Sequence, residues 1–266
     1  TFLKNNLGFY ETFDQLRELF LSEKDAGGVP RHSFHPGYGL RDFKQFLSGP
    51  KYAKKYVAAA LAAGVQISTS STATKWVSDY EIEVTSPTGL ETITARAIIL
   101  ATGARERARA ARAVPGKRPA GIYTTGSLQQ CTYLENLRIG TRAIIVGAEH
   151  VSFSAVMTLK HAGVKSVAML TDKNAHETVG IVRWALGLWY RFKLITKSEI
   201  VEVLGDKSVT GVRIRRDGKE SVIACDTIVF TGNWIPDNEL ARRGGFDIDA
   251  THKSPLVDSD SRMQRP

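Results

Sequence analysis

Apolar residues recur along this chain at two spacings. Phe9, Phe13, Leu16 and Phe20 stand three or four positions apart, which predicts an amphipathic helix over 9–22. Ser48-Gly49-Pro50 opens a second helix through KYAKKYVAAALAA, with Gly64 as its stop. Val65 to Ser68 reads as a short strand. Tyr80, Ile82 and Val84 alternate with Glu81, Glu83 and Thr85, the pattern of a half-exposed strand. Ala97 to Ala101 is apolar throughout, as a parallel strand buried on both faces would be. Further on, strand Ala143–Gly147, helix Val151–His161 and strand Ser166–Thr171 make a βαβ unit. A helix with Trp184 and Trp189 is predicted over Ile181–Phe192, and a hairpin turns at Asp217-Gly218. Short β-like pieces follow in the tail from Asp247.

One sixteen-residue pattern occurs twice. Thr88 to Gly103 reads TGLETITARAIILATG and Asp217 to Gly232 reads DGKESVIACDTIVFTG. Gly89, Glu91, Ala95, Ile99, Thr102 and Gly103 recur as Gly218, Glu220, Ala224, Ile228, Thr231 and Gly232. Each copy holds a glycine turn, a short strand and an apolar strand ending in Thr-Gly. Self-similarity at a long period marks a duplicated structural unit. Open α/β sheets bind nucleotides at the carboxyl edge where such strands end. Two nucleotide-type domains in an α/β chain are therefore expected. The Pro- and Gly-containing stretch Val114–Gly121 marks a boundary between them.

Composition narrows the classes. The chain has 266 residues, 42% hydrophobic and 24% charged, which suits one large or two modest globular domains. No apolar run reaches membrane-spanning length, so no membrane insertion is expected. The net charge is +9, and its densest stretch is Arg105–Arg118. That stretch lacks the interleaved aromatics that stack on bases, so no nucleic-acid partner is expected; it reads as a solvated loop face or, following a strand end where a phosphate could sit, as a cofactor or partner contact. Cys131 and Cys225 form neither a CxxC pair nor a metal-ligand cluster. Two reduced thiols in a cytoplasmic protein, with no metal site, are the expectation.

Candidate chemistry gathers at glycines. In Ala101-Thr102-Gly103, a glycine at a strand end lets backbone approach a cofactor where a Cβ would collide. In IIVGAEHVSFSA, a dinucleotide fingerprint would place glycines at Gly147, Glu149 and Ser152, and only the first is glycine. Glu149 suits the helix dipole but repels phosphate. Asp172 stands where a ribose-binding acid belongs. The pattern favours a retained scaffold over NAD(P) binding. Residues 1–28 contain no G-x-G-x-x-G. His32, His35 and Tyr38 form a polar-aromatic group that could serve in acid–base work or in loop packing.

Three segments, GGVPRHSFHPGYGLRDFKQFLSGPKYAKK, AIILATGARERARAARAVPGKRPAGIYTTGSLQ and IVFTGNWIPDNEL, resemble the FAD-dependent pyridine nucleotide–disulfide oxidoreductase family. Within it the chain is most similar to the FAD-binding subunits of sarcosine oxidase, opine oxidase and hydrogen cyanide synthase. The resemblance implies two Rossmann-like domains with β-meander elements, the second inserted into the first. The FAD-type domain would take 1–120 and 241–266, and the NAD(P)-type domain 121–240. It implies that Gly27 and Gly28 follow the ribose-binding strand and that the Ala73 backbone meets adenine. Thr102 and Gly103 would lie on the FAD side, with Gly232 and Pro236 in the corresponding loop of the second domain. The N-terminal Gly-rich unit is missing, and Thr124-Thr125-Gly126-Ser127 stands where thioredoxin reductases carry their redox CxxC. The implied protein is a gene product truncated at both ends that holds FAD weakly. Its implied activity is oxidation of a small amine or imino acid, with a second oxidoreductase subunit as partner. The alternative is a non-catalytic scaffold or assembly subunit using the tryptophan-bearing helix against a partner.

Overall fold

The computed structural model describes residues 18–178 and 192–263. The chain forms two compact units. The first comprises Thr1–Arg31, Pro36–Arg105 and Ile235–Pro266, and the second His32–His35 and Glu106–Trp234.

In the first unit, β1 (Glu18–Phe20) is a strand where the apolar spacing predicts helix. It pairs in parallel with β4 (Gln66–Ser68), Leu19 facing Ile67. Cross-strand pairing outweighs the helical spacing there. The remainder of that expected helix, 9–17, lies outside the described residues. Strands β2 (Pro36–Tyr38) and β3 (Leu47–Ser48) form a small antiparallel ribbon ahead of α1 (Gly49–Ala62). Extended Ser48 precedes this helix and Pro50 sits in its first turn, as the sequence indicates. Gly64, at φ +78°, ends it. Three antiparallel strands follow: β5 (Thr72–Ser78), β6 (Glu81–Ser86) and β7 (Gly89–Thr94). Trp76, Ile82 and Val84 form the unit's buried cluster with Leu240.

The next segment overturns an expectation. Residues 97–101 are not a buried parallel strand and belong to no sheet. Ile98 and Leu100 pack on the Trp76 cluster. Ile99 points the other way and is 50% exposed. An apolar run joins a parallel sheet only where partner strands flank it, and none does so here among the described residues.

Two short strands, β8 (Ala104–Glu106) and β17 (Trp234–Pro236), form a two-stranded sheet. The second unit holds a five-stranded sheet of β9 (Ile122–Thr124), β10 (Arg142–Val146), β11 (Lys165–Leu170), β12 (Lys193–Ile195) and β16 (Thr227–Phe230). All are parallel, in the order β12-β11-β10-β16-β9. Helices α2 (Thr125–Gln129) and α3 (His150–His161) supply Leu128, Ala155, Val156 and Leu159 against Ala143, Ile145, Met169 and Val229 on one sheet face. The antiparallel strands β13 (Ser198–Leu204), β14 (Gly211–Arg216) and β15 (Lys219–Ala224) cover the other face. Val203, Val212 and Ile214 there meet Ile144, Leu170, Ile228 and Phe230. Both faces are covered, which explains the apolar runs Ala143–Val146 and Ile228–Phe230. Asp226 fixes the start of β10 by accepting from the amides of Thr141 and Arg142. Burial opposes its charge, yet these bonds hold its carboxyl down at about 2.

The two copies of the repeat thus share a topology: three antiparallel strands, then the apolar segment ending in Thr-Gly. They differ in what surrounds that segment. The expected helix over Ile181–Phe192 falls almost wholly outside the described residues. In the tail, β-bridges join Ile248 to Pro255 and Val257 to Met263. Helix α4 (Glu239–Arg243) precedes them.

Candidate cofactor sites

Each unit presents a Thr-Gly edge, and the two edges are finished differently. In the first unit, the Thr102 hydroxyl donates to the Asp237 carbonyl (2.5 Å), and the Asp237 amide donates to the Gly103 carbonyl (2.9 Å). These bonds fix the turn at φ +77° for Gly103. A Cβ placed on Gly103 would meet no atom within 4 Å. Ala101, Thr102 and Gly103 are exposed. The edge is open backbone.

Gly27 and Gly28 follow β1. Gly27, at φ +125°, lies so close to α1 that an added Cβ would stand 2.9 Å from the Ala53 Cβ. Its glycine is required by helix packing. Gly28 turns at φ +55° with open space before it. Glu23, just past β1, accepts from Arg31 Nη2 (2.5 Å), and Arg31 also binds Asp25. Acids near the ends of parallel strands accept ribose hydroxyls in dinucleotide-binding folds, and Glu23 is an acid shortly past β1 that the sequence pattern does not single out. Ala73 lies in β5, packed on the Trp76 cluster. Among the described residues no hydrogen bond joins the Gly27–Gly28 turn to Ala101–Gly103.

In the second unit the edge is filled. Gly147 follows β10 at φ +128°, and Gly232 follows β16 at φ +65°. This is the point where strand order reverses, the crevice that receives a dinucleotide in open α/β sheets. The Glu149 side chain occupies it. Its Oε2 accepts from the Thr231 hydroxyl (2.9 Å). A Cβ on Gly147 would lie 2.2 Å from Thr231 Oγ1 and 2.6 Å from Glu149 Oε2. A Cβ on Gly232 would lie 2.6 Å from the Glu149 carboxyl carbon.

Arg112 stands over this edge. Its Nη2 donates to the carbonyls of Thr231 (2.8 Å) and Gly232 (3.0 Å), and its guanidinium covers the Phe230 ring at 5.3 Å. Burial pushes its pKa down, while the carboxylates of Glu149 and Glu106 pull it back up. Glu106 is itself buried and accepts from the amides of Gly126 (2.9 Å) and Gly232 (3.1 Å). Burial raises its pKa against those bonds. Arg109, from the same basic stretch, donates to the carbonyls of Val114, Pro115, Gly116 and Lys117. The stretch is therefore a structural clamp as well as a charged surface. Glu106, its one acid, was the signal available in the sequence.

Beside the crevice is a cavity of about 510 Å³ lined by Gly147, Glu149, Asp172, Lys173, Ser198 and Glu199, among others. Gly147 and Asp172 line one cavity, and Gly232 lies against the Glu149 carboxylate. The Glu149 carboxylate, bonded to Thr231, stands beside the start of α3, where a pyrophosphate would approach. A helix N-terminus favours an anion by about 0.3–1 kcal/mol, and up to about 2 when partly buried. Two like charges about 4 Å apart at an effective dielectric near 20 repel by about 4 kcal/mol. An unpaired carboxylate at that distance would repel a phosphate by more than the dipole of α3 attracts it.

His32 is buried, with Nδ1 3.3 Å from Gln129 Oε1 and Nε2 3.5 Å from Gln130 Nε2. Ser33 also donates to Gln129 (3.2 Å). These contacts belong to the second unit. Tyr38 lies in the first unit, 5.4 Å from the Tyr52 ring. Thr124 caps α2 reciprocally with Ser127, forming a Thr/Ser capping box. Cys131 and Cys225 are free, and burial pushes the Cys225 thiol up to about 11. Among the described residues no cluster of metal-ligating side chains occurs, and no helix is long and apolar enough to cross a membrane.

The chain belongs to the pyridine nucleotide-disulphide oxidoreductase family, whose profile matches residues 23–266. It is a family of FAD-dependent enzymes. The fold is that of thioredoxin reductase from T. acidophilum, with a TM-score of 0.77 at 20% identity over 97% of this chain and 82% of that one. It is similar to the bacillithiol disulfide reductase of Bacillus cereus, with a TM-score of 0.74 at 12% identity over 94% of this chain and 80% of that one. It is also similar to L-proline dehydrogenase from P. horikoshii, with a TM-score of 0.66 at 15% identity over 95% of this chain but 45% of that one. No curated protein matches the chain.

Proposed function

We propose that the chain is the FAD-binding subunit of an oxidoreductase that oxidises a small amine or imino acid, of the sarcosine and opine oxidase type. The observation that carries this reading is the missing dithiol. The α2 cap is Thr124 and Ser127, and the Cys225 thiol is buried and held protonated at neutral pH. Dithiol chemistry needs two neighbouring thiols, whereas Cys131 and Cys225 are both free and stand far apart in sequence. The similarity to an L-proline dehydrogenase supports a secondary amine as substrate. FAD would be held at the first unit by the open backbone of Gly103 and Gly28, with Glu23 toward the ribose. When bound, FAD supplies the two-electron acceptor: the substrate C–N bond becomes C=N, and two electrons and two protons pass to FAD to give FADH2. The chain would work in the cytoplasm beside a second oxidoreductase subunit.

The test supplies the chain with FAD, without oxygen, and titrates L-proline, sarcosine and a disulfide with NADPH in turn. Bleaching of the flavin by an amine and not by the disulfide mixture is expected. Turnover of a disulfide at the expense of NADPH would refute the reading. The scaffold alternative is separated by melting: a native-state ligand adds about 2.7 kcal/mol of stability at a hundredfold excess over Kd and so raises the melting temperature.

A further inference from the structure

We infer that Glu149 is a specificity-determining residue that closes the second unit to NAD(P)H, so that electrons reach this protein's flavin only from the substrate. The inference rests on the flavoprotein reading but not on the choice of amine.

The glycines at the crevice usually leave room for a cofactor. Here they leave room for a side chain of the chain itself. Gly232 could not carry a Cβ without striking the Glu149 carboxylate, and Gly147 could not without striking both that carboxylate and the Thr231 hydroxyl. Glu149 immediately precedes α3, a helix of twelve residues, and does not bond its amides. Its carboxylate instead accepts from Thr231 across the crevice, under the field of Arg112. Arg112 and Thr231 thus form an anion site already satisfied from within.

Shortage of space is not the cause. The adjoining cavity is open, and Asp172 still lines it at the ribose position. The third fingerprint position, Ser152, is fully buried and its hydroxyl bonds the Glu149 carbonyl (2.6 Å) and His176 Nε2 (2.9 Å). The helix–strand packing that supports a dinucleotide is therefore intact. One carboxylate separates this unit from a working site.

The experiment is calorimetric titration of the full chain with NADH and NADPH, repeated for Glu149→Gly and Glu149→Ser. Both replacements suit the position before a helix. Each variant is first checked by its melting transition, and the serine variant stands in should the glycine variant not fold. Wild type is expected to give no saturable binding. Either variant is expected to bind NADH saturably, at concentrations where wild type gives no binding isotherm. Saturable binding by wild type would overturn the inference, as would a folded variant that binds no better. The readout is binding alone, so a failure of amine turnover does not touch it.

Discussion

Gly147→Val is expected to destabilise the second unit by about 3–5 kcal/mol, whereas Gly103→Val should cost about 1–2. Both glycines turn with positive φ, so both substitutions carry backbone strain. The difference lies in what the new side chain meets. At Gly147 the first carbon alone would stand 2.2 Å from Thr231 Oγ1 and 3.0 Å from the Thr231 carbonyl oxygen. Neither atom can retreat, because the Thr231 amide is bonded to Val146 and its carbonyl to Arg112. At Gly103 the same carbon enters open space. The denaturant midpoint of each variant, at unchanged slope, measures the two costs. The Gly103 variant should in addition lose most of the rise in melting temperature that FAD gives wild type, since the valine would occupy the cofactor's side of the edge.

The second large effect separates the repeated strands themselves. Ile228→Ala should cost about 2–5 kcal/mol, and the equivalent Ile99→Ala no more than about 0.5. Ile228 is 0% exposed and packs among Phe230, Val212 and Ile214, whereas Ile99 is 50% exposed. Removal of three buried carbons leaves a cavity in one case and trims a surface in the other. Equal losses at the two positions would mean that residues 97–101 are covered in solution.

Much of this was legible in the chain. The α1 boundaries follow from Ser48, Pro50 and Gly64, because capping and proline geometry are local. The β10–α3–β11 unit and the Asp217-Gly218 hairpin follow from periodicity, which is also local. The 97–101 segment was misread because an apolar run reports that a strand is fit for burial, not that neighbours exist to bury it. Residues 18–20 were misread for a related reason: three residues satisfy either period, and pairing with β4 decides. At the candidate sites, spacing placed Gly147, Asp172 and Gly232 at sheet edges and marked Glu149 as out of pattern. It could not reveal that the Glu149 carboxylate lies between the two glycines, nor that Arg112 and Glu106 converge on Gly232. Those contacts join positions more than eighty residues apart, and no local rule encodes them.

The most direct measurement is amide hydrogen exchange on the full chain with and without FAD. Binding at the open edge should slow exchange across Ala101–Ala104 and near Gly28, while the amides around Gly147 and Gly232 keep their rates. Protection by FAD at Gly147 and Gly232 with none at Gly103 would contradict the assignment of one edge to the flavin and the other to Glu149.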